Sequence, residues 1–140
     1  MSESSDCIFC KIARGEIPSV KVYEDEHTLT FMDVRPASPG HALVISKAHA
    51  ANLLEMTEVD LQAVTLTVQR VARAVQKALA PDGIRISQFN GAAAGQTVFH
   101  YHVHVIPVQE GQHTGSHGRS SADPQQLALL AAQIRAALGS

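Results

Sequence analysis

The chain lacks long apolar runs and has no excess of charge of either sign. No apolar stretch approaches the roughly 18 residues that cross a bilayer, so we expect no membrane span. The formal net charge is −2 and no long basic run is present, which argues against a protein that binds nucleic acid through its phosphates. The first six residues are polar and acidic, unlike a secretory signal, and this favours a cytoplasmic protein.

Cysteine is also scarce, since the only two are Cys7 and Cys10 in the sequence Cys-Ile-Phe-Cys. In a reducing compartment such a pair is more often half of a metal site or a redox pair than a structural disulfide. A redox motif of the thioredoxin type should follow a strand, and we predict none before Cys7. The position therefore favours a metal, with a redox pair or two buried thiols as the alternatives.

What remains is an ordinary globular composition, with 45% apolar and 17% charged residues among 140, enough for one domain with a core. Hydrophobic periodicity and turn signals predict strands over 20–24, 27–34, 41–46, 84–90 and 98–107, a helical turn over 7–14, and helices over 57–79 and 124–138. One long crossover helix among meandering strands predicts an α+β domain on an antiparallel sheet of about five strands. The polar segment 109–122 is predicted to be a flexible loop.

The predicted helix over 57–79 begins with a variant of the capping box, formed by Thr57 and Asp60. Apolar residues recur along it at helical spacing, and we expect this stripe to pack on the sheet. The stripe comprises Val59, Ala63, Leu66, Val71 and Val75.

Three histidines alternate with apolar residues in His100-Tyr-His-Val-His104. A strand sends alternate residues to one face, so we expect the imidazoles of His100, His102 and His104 to lie together. Crowding disfavours protonating all three at once, which keeps one of them neutral and nucleophilic. A catalytic metal centre is the alternative, although no carboxylate follows His104 closely enough to complete a facial set of ligands. The third possibility is a surface strand without function.

The run 100–106 fits the pattern His-φ-His-φ-His-φ-φ, where φ is apolar, and so resembles the histidine-triad (HIT) family. Further segments occur in the family's order: 6–18 resembles the opening of bacterial HIT proteins, 30–49 the nucleotide-binding hairpin, and 95–100 the phosphate loop. The resemblance covers about 6–107 and implies that 1–140 is a single domain of the HIT fold, similar to the Hint- and Fhit-like nucleotide hydrolases.

The family acts at the α-phosphate of purine nucleotides, and the resemblance implies a role for each matching residue. His102 would attack phosphorus and form a nucleotidyl-histidine, with its other ring nitrogen donating to a backbone carbonyl. His104 and His41 would donate to phosphate oxygens, and Thr97 would pass a proton to the leaving group. The remaining substrate contacts would come from Gly95 and Gln96 around the phosphate, Asn90 between ribose and phosphate, Asp33 on the ribose, and Ile8, Phe9, Ile12, Ile17 and Phe31 around the base.

The bacterial branch also implies a zinc ion held by Cys7, Cys10, His49 and His100. Two thiolates and two imidazoles form a closed tetrahedral site, so the zinc would be structural and no catalytic metal would be required. We expect it to orient His100 and, through it, His102. The family further implies a homodimer.

Two questions stay open at this point. The leaving group could be an amine, as in a nucleoside phosphoramidate, or a second nucleotide, as in a dinucleoside polyphosphate. The tryptophan-containing tail associated with the phosphoramidase branch is missing, because the chain has no tryptophan. A different class is also open, a nucleotide-binding or scaffold protein whose hydrolysis is vestigial.

Overall fold

Five antiparallel strands form the sheet in the described part of the chain, which comprises residues 6–112, 115, 118 and 120–139 of a computed structural model. Their order across the sheet is β1-β2-β3-β5-β4. The strands are β1 (Lys21–Glu24), β2 (Thr28–Met32), β3 (Ala42–Ser46), β4 (Gly83–Ser87) and β5 (His102–Val108). The predicted α+β class with a five-stranded antiparallel sheet is confirmed.

The helices are α1 (Ile8–Ala13), α2 (Glu58–Leu79) and α3 (Pro124–Leu138). Strands β3 and β4 both run antiparallel to β5 and hence parallel to each other, which requires the crossover that α2 supplies. Within the described ranges, none of the helices combines the length and the apolar character that crossing a membrane demands.

Helix α2 begins where the capping box predicted, because Thr57 Oγ1 accepts the backbone N–H of Asp60 at 3.2 Å. The predicted apolar stripe is partly wrong, since Val59 and Leu66 are 63% and 55% exposed. Spacings of three and four residues from Val64 instead define the buried face. That face comprises Val64, Thr67, Val68, Val71, Ala74 and Val75.

The two faces of the sheet differ in what covers them. Helices α2 and α3 cover one face, where their apolar residues pack on alternate strand residues such as Val44, Val103 and Val105. The other face carries a smaller apolar cluster and the histidines of β5. This division follows from the period of two along each strand.

The histidine strand starts later than predicted, at His102 rather than Val98. Before His102, backbone carbonyls bind side chains rather than a neighbouring strand. The carbonyl of Val98 accepts from Gln96 Nε2, and that of His100 faces His102 Nδ1. The preceding segment therefore forms a loop, in which Phe99 is 48% exposed instead of sharing the α2 face.

The predicted loop 109–122 contains no helix or strand among its described residues, and residues 113, 114, 116, 117 and 119 lie outside the described set. Its later part is joined to the segment that follows β2, because the N–H groups of Gly118 and Ala122 donate to the carbonyls of Arg35 and Val34. The flexibility of the loop stays a prediction.

Candidate active site

His102 and His104 lie side by side at the centre of the sheet, on the face that α2 does not cover. Strand β5 has a neighbouring strand on each side, and on β3 Ile45 pairs with His102 while Leu43 pairs with His104. Both imidazoles are buried, at 6% and 0% exposure, with ring centroids 5.1 Å apart. Two imidazoles are thereby held rigidly within reach of one small ligand.

The partners of His102 determine which ring nitrogen carries its proton. Nδ1 lies 2.7 Å from the carbonyl oxygen of His100, and a carbonyl can only accept, so Nδ1–H is the donor. In the neutral ring Nε2 then carries the lone pair, which makes it the nucleophilic atom. The contact that the resemblance implied for the second nitrogen is present.

A directed chain of hydrogen bonds sets the tautomers of His41 and His104. The backbone N–H of Ala37 donates to His41 Nδ1 at 2.9 Å, so the proton of neutral His41 is on Nε2. That nitrogen lies 3.0 Å from His104 Nδ1, which accepts and leaves Nε2 of His104 as an N–H donor. The face thus presents a nucleophilic nitrogen on His102 beside a donor on His104.

His41 is enclosed beside His104 and Asp33. It is fully buried, and its nitrogens face Ala37, His104 and the carboxylate of Asp33, whose Oδ2 is 3.5 Å from Nε2. This arrangement suits a residue that orients His104, and the predicted contact of His41 with phosphate stays a prediction.

Asp33 follows β2 and is 6% exposed. Its Oδ1 accepts the backbone N–H of Arg35 at 2.8 Å, and its Oδ2 faces His41. The carboxylate is thus placed beside the histidine chain, and its predicted contact with ribose hydroxyls stays a prediction.

Four residues from three parts of the chain meet in a second cluster on the same face. A single turn of α1 brings Cys7 and Cys10 together, and His49 follows β3 while His100 precedes β5. Cys10 Sγ lies 3.3 Å from His49 Nδ1 and 3.4 Å from His100 Nδ1, and the two Nδ1 atoms are 3.3 Å apart. All four ligand atoms lie within 4.8 Å of one another.

This cluster fits a zinc ion by distance and by donor chemistry. Tetrahedral zinc with its usual bond lengths has ligand–ligand edges of about 3.3–3.8 Å, close to those found here. His100 Nε2 donates to the Ser46 carbonyl at 2.6 Å, which leaves the Nδ1 lone pair directed into the cluster. Burial lowers the pKa of His100 to about 4, so its ring is neutral, as a ligand must be.

The loop between β4 and β5 contains Gly95, whose φ of +108° favours glycine. The N–H groups near Gly95 are predicted to cradle a phosphate, and this stays a prediction. Those of Ala94, Gly95 and Gln96 donate to carbonyls of Gly91 and Ala92 within the loop itself.

The side chain of Gln96 is likewise committed to backbone. Its Oε1 accepts from Gly91 N–H, and its Nε2 lies 2.6 Å from the Ala51 carbonyl and 3.0 Å from that of Val98. Gln96 therefore joins this loop to the segment after His49, and its predicted contact with phosphate stays a prediction.

Thr97 is exposed in the same loop and borders a cleft of about 430 Å³ together with Ile8 and Val98. Asn90 is also exposed, and its Oδ1 accepts the backbone N–H of Leu53 at 2.9 Å. The predicted substrate contacts of Thr97 and Asn90 stay predictions.

Most of the predicted base slot is assembled in one place. Phe9, Ile12 and Phe31 are buried in the apolar cluster on the histidine face, with Ile17 packed against it, whereas Ile8 is 47% exposed. The ring of Phe9 meets that of His102 edge-on, with centroids 5.1 Å apart. Helix α1 therefore links the cluster of Cys7, Cys10, His49 and His100 to His102.

Sequence reasoning missed three contributors to the site. The amide of Ala37 and the carbonyl of Ser46 are backbone groups that no residue-type pattern reveals. Phe89, whose ring centroid is 5.7 Å from that of His104, lies at the end of a predicted strand with no polar signal.

Comparison with known proteins identifies the family. The model of the HIT domain matches residues 14–111. A solved HIT-like protein from Bartonella henselae is 44% identical, with a TM-score of 0.91, and the match covers 98% of this chain and 99% of that one. The chain therefore belongs to the HIT family, which confirms the resemblance.

Two further relatives bear on the chemistry. A Zn-bound histidine triad family protein from Mycobacterium smegmatis is 37% identical, with a TM-score of 0.86, and the match covers 98% of this chain and 96% of that one. The Adenylylsulfatase HINT3 of Arabidopsis thaliana is 43% identical over 106 residues, which are 76% of this chain and 54% of that protein.

Proposed function

We propose that the protein is a nucleotide hydrolase or transferase that acts at the α-phosphate of purine nucleotides. The observation that carries the proposal is the paired tautomers, a lone pair on His102 Nε2 beside an N–H on His104 Nε2. The first suits attack on phosphorus and the second suits an oxygen of the same phosphoryl group. The Arabidopsis relative is named an adenylylsulfatase, which supports an adenylyl compound as substrate.

The reaction proceeds in two displacements. His102 Nε2 forms a bond to the α-phosphorus while the bond to the leaving group breaks, and the leaving group takes a proton, for which Thr97 is our candidate. Water then forms a bond to phosphorus and gives up a proton, which replaces the one that Thr97 passed to the leaving group. The phosphorus–nitrogen bond breaks, and a nucleoside monophosphate leaves. Imidazole serves both steps, because it is a good nucleophile and, once bound to phosphorus, a good leaving group.

The neighbouring groups would hold the substrate during these steps. His104 donates to a phosphate oxygen, and His41 and the Ala37 amide keep that donor oriented. We assign Asp33 and Asn90 to the ribose, and the apolar cluster around Phe9 to the purine. The leaving group, an amine or a second nucleotide, is to be decided by assay.

The test is a panel of adenosine phosphoramidates and dinucleoside polyphosphates assayed with wild type, His102→Ala and His27→Ala. His27 is a matched control, because it lies outside both clusters and contacts Asp60. We expect His102→Ala to lose at least about 10⁴-fold in kcat and His27→Ala to keep wild-type rates. Mass spectrometry of quenched turnover mixtures should show the nucleotidyl group on His102.

Two outcomes would overturn the proposal. A nucleotidyl adduct on another residue would remove His102 as the nucleophile. Equal and negligible rates for wild type and His102→Ala, with nucleotide binding intact, would favour the nucleotide-binding or scaffold protein.

We propose that Cys7, Cys10, His49 and His100 hold a structural zinc ion, as supported by the donor geometry and by the Zn-bound relative. The ion would crosslink α1 to the start of β5. No metal is assigned to catalysis. Cys7 and Cys10 form no disulfide in the described part of the chain, which suits a reducing compartment, and we propose the cytoplasm.

We further propose a homodimer that forms through β4 and the exposed side of α2. Strand β4 is at an edge of the sheet, and its Ile86 is 47% exposed. Val59 and Leu66 of α2 are 63% and 55% exposed. An exposed edge with apolar neighbours is a natural pairing surface. Light scattering should give twice the chain mass, and Ile86→Lys should reduce it; a wild-type monomer at micromolar concentration would refute the dimer.

A further inference from the structure

The segment 88–90, with the sequence Gln-Phe-Asn, directly follows β4 and lies beside the histidine pair. Ser87, the last residue of β4, pairs with His104 across the sheet. The ring of Phe89 packs beside that of His104, with centroids 5.7 Å apart. The polar side chains of this segment are therefore near the place where we propose that the nucleotide binds.

The side-chain amides of Gln88 and Asn90 form a reciprocal pair. Gln88 Nε2 donates to Asn90 Oδ1 at 2.8 Å, and Asn90 Nδ2 donates to Gln88 Oε1 at 3.1 Å. A side-chain amide carries two N–H donors and one oxygen with two lone pairs. Each of the two amides thus binds the other through both its donor and its acceptor.

Backbone groups at the two ends of this pair set its direction. The N–H of Leu53 donates to Asn90 Oδ1 at 2.9 Å, and the carbonyl of Phe89 accepts from Gln88 Nε2 at 3.0 Å. If the Asn90 amide turned over, its N–H groups would face the N–H of Leu53. If the Gln88 amide turned over, its oxygen would face the carbonyl of Phe89. Only the observed orientation satisfies both backbone groups, and an unsatisfied group is costly.

This orientation determines which group Asn90 offers to a ligand. Its Oδ1 accepts from Leu53 and from Gln88, which occupies both lone pairs. Among the residues that the structure describes, Asn90 Nδ2 donates to Gln88 alone, so the second N–H of this exposed side chain can bind a ligand. The ionised oxygens of a phosphate only accept hydrogen bonds, and an N–H donor is complementary to them.

We propose that Gln88 is a positioning residue, which together with the N–H of Leu53 holds Asn90 so that Nδ2 donates to the nucleotide between ribose and phosphate. The inference rests on the proposed function and adds to it a residue and a direction. Gln88 acts through Asn90 and does not touch the substrate. An amide held the other way would present its oxygen to the phosphate and repel it.

The first experiment is a double-mutant cycle on kcat/KM, measured with an adenosine phosphoramidate or a dinucleoside polyphosphate, whichever wild type hydrolyses faster. Asn90→Ala removes the donor and should lower kcat/KM about 30-fold, and Gln88→Leu, which lets Asn90 turn over, should lower it roughly tenfold. The double variant should equal Asn90→Ala, because Gln88 acts only through Asn90. Gln133→Leu, the same change at an exposed position of α3, is the matched control and should keep the wild-type value.

The second experiment does not need turnover. It is a titration of isotope-labelled, zinc-loaded protein with AMP, in which the side-chain NH₂ signals of Asn90 are followed by two-dimensional NMR. We expect AMP to shift these signals in wild type and in Gln133→Leu, and to bind roughly tenfold more weakly to Gln88→Leu.

Three results would overturn the proposal: wild-type kcat/KM in Gln88→Leu, losses that multiply in the double variant, or Asn90 NH₂ signals that AMP leaves in place. The second of these would mean that Gln88 acts by another route than Asn90. Failure of the proposed function has a different signature, namely equal and negligible rates for wild type and His102→Ala. The AMP titration would then still test the role of Gln88.

Discussion

Two clusters that contain histidines lie on the same face of the sheet, and each brings at least three ligand atoms within 4.8 Å of one another. One consists of Cys7, Cys10, His49 and His100, and we call it the Cys/His cluster. The other consists of Asp33, His41 and His104, and we call it the relay cluster. Residue types alone would allow a metal in both.

The directions of the hydrogen bonds separate the two clusters. In the Cys/His cluster, His100 Nε2 donates to the carbonyl of Ser46, so the lone pair of His100 Nδ1 is directed into the cluster. In the relay cluster, His41 accepts an amide hydrogen on Nδ1, so its proton occupies the nitrogen that a metal would need. A metal there would require the ring to lose its last proton. The first cluster is therefore suited to zinc and the second to holding a proton in place.

The largest effect that tests this comparison is loss of the zinc site. We expect elemental analysis to find one zinc per chain in wild type and none in His49→Ala. His49→Ala should also lose on the order of 5 kcal/mol of unfolding free energy, because metal binding is coupled to folding. His27→Ala is the matched control and should keep both. The proposal would be wrong if His49→Ala, or protein treated with chelator, melted at the wild-type temperature.

The second prediction changes the relay cluster. His41→Asn removes the donor that orients His104, and we expect kcat to fall about 100-fold, while zinc content and melting temperature stay near those of wild type. The two variants would then separate the two properties, because His49→Ala lowers stability and zinc content whereas His41→Asn lowers kcat. Loss of zinc from His41→Asn would show that the two clusters are not separable.

The third prediction concerns a single backbone hydrogen. Ala37→Pro removes the N–H that fixes the tautomer of His41, and kcat should fall roughly tenfold, with little change in KM. Ala37→Gly keeps the N–H and is the control. Long-range ¹H–¹⁵N spectra should show the proton of His41 on Nε2 in wild type and Ala37→Gly, and a mixture in Ala37→Pro. A single unchanged tautomer in all three would remove this role of Ala37.

Sequence patterns predicted the elements that depend on local chemistry. The cap at Thr57 and the terminal helix from Pro124 follow from residue types at fixed positions, and both are found in the structure. The prediction of the inward face of α2 was partly wrong. The sequence does not distinguish an apolar residue that packs on the sheet from one that stays exposed, such as Leu66.

The site shows the same limit more sharply. The pattern of alternating histidines located the chemical groups, but the strand begins only at His102, and His100 belongs to a loop. The direction of a hydrogen bond from Ala37 or to Ser46 depends on tertiary structure, so the tautomers of His41 and His100 could not be predicted from the sequence.

The smallest predicted effect comes from Asp25, a half-buried carboxylate that lies outside both clusters and accepts several hydrogen bonds. Burial raises the pKa of Asp25, but hydrogen bonds from the backbone of His27 and Thr28 and from the hydroxyls of Tyr23 and Thr28 lower it further, and the net pKa is below the ordinary value. The folded state therefore favours the charged form, and this stability is present above the ordinary pKa of 3.8 and is lost as the pH falls through the lower folded value.

Asp25→Asn keeps the shape and an acceptor but removes the charge, so it should cost about 1 kcal/mol near neutral pH. Urea unfolding of both chains should show a constant difference from pH 7 to pH 5 that shrinks below about pH 4, where the carboxylate itself becomes protonated. Because Asp25 contacts neither cluster, zinc content and kcat should not change. If the difference in unfolding free energy grew as the pH fell, the folded state would favour the protonated form of Asp25. That result would contradict the prediction.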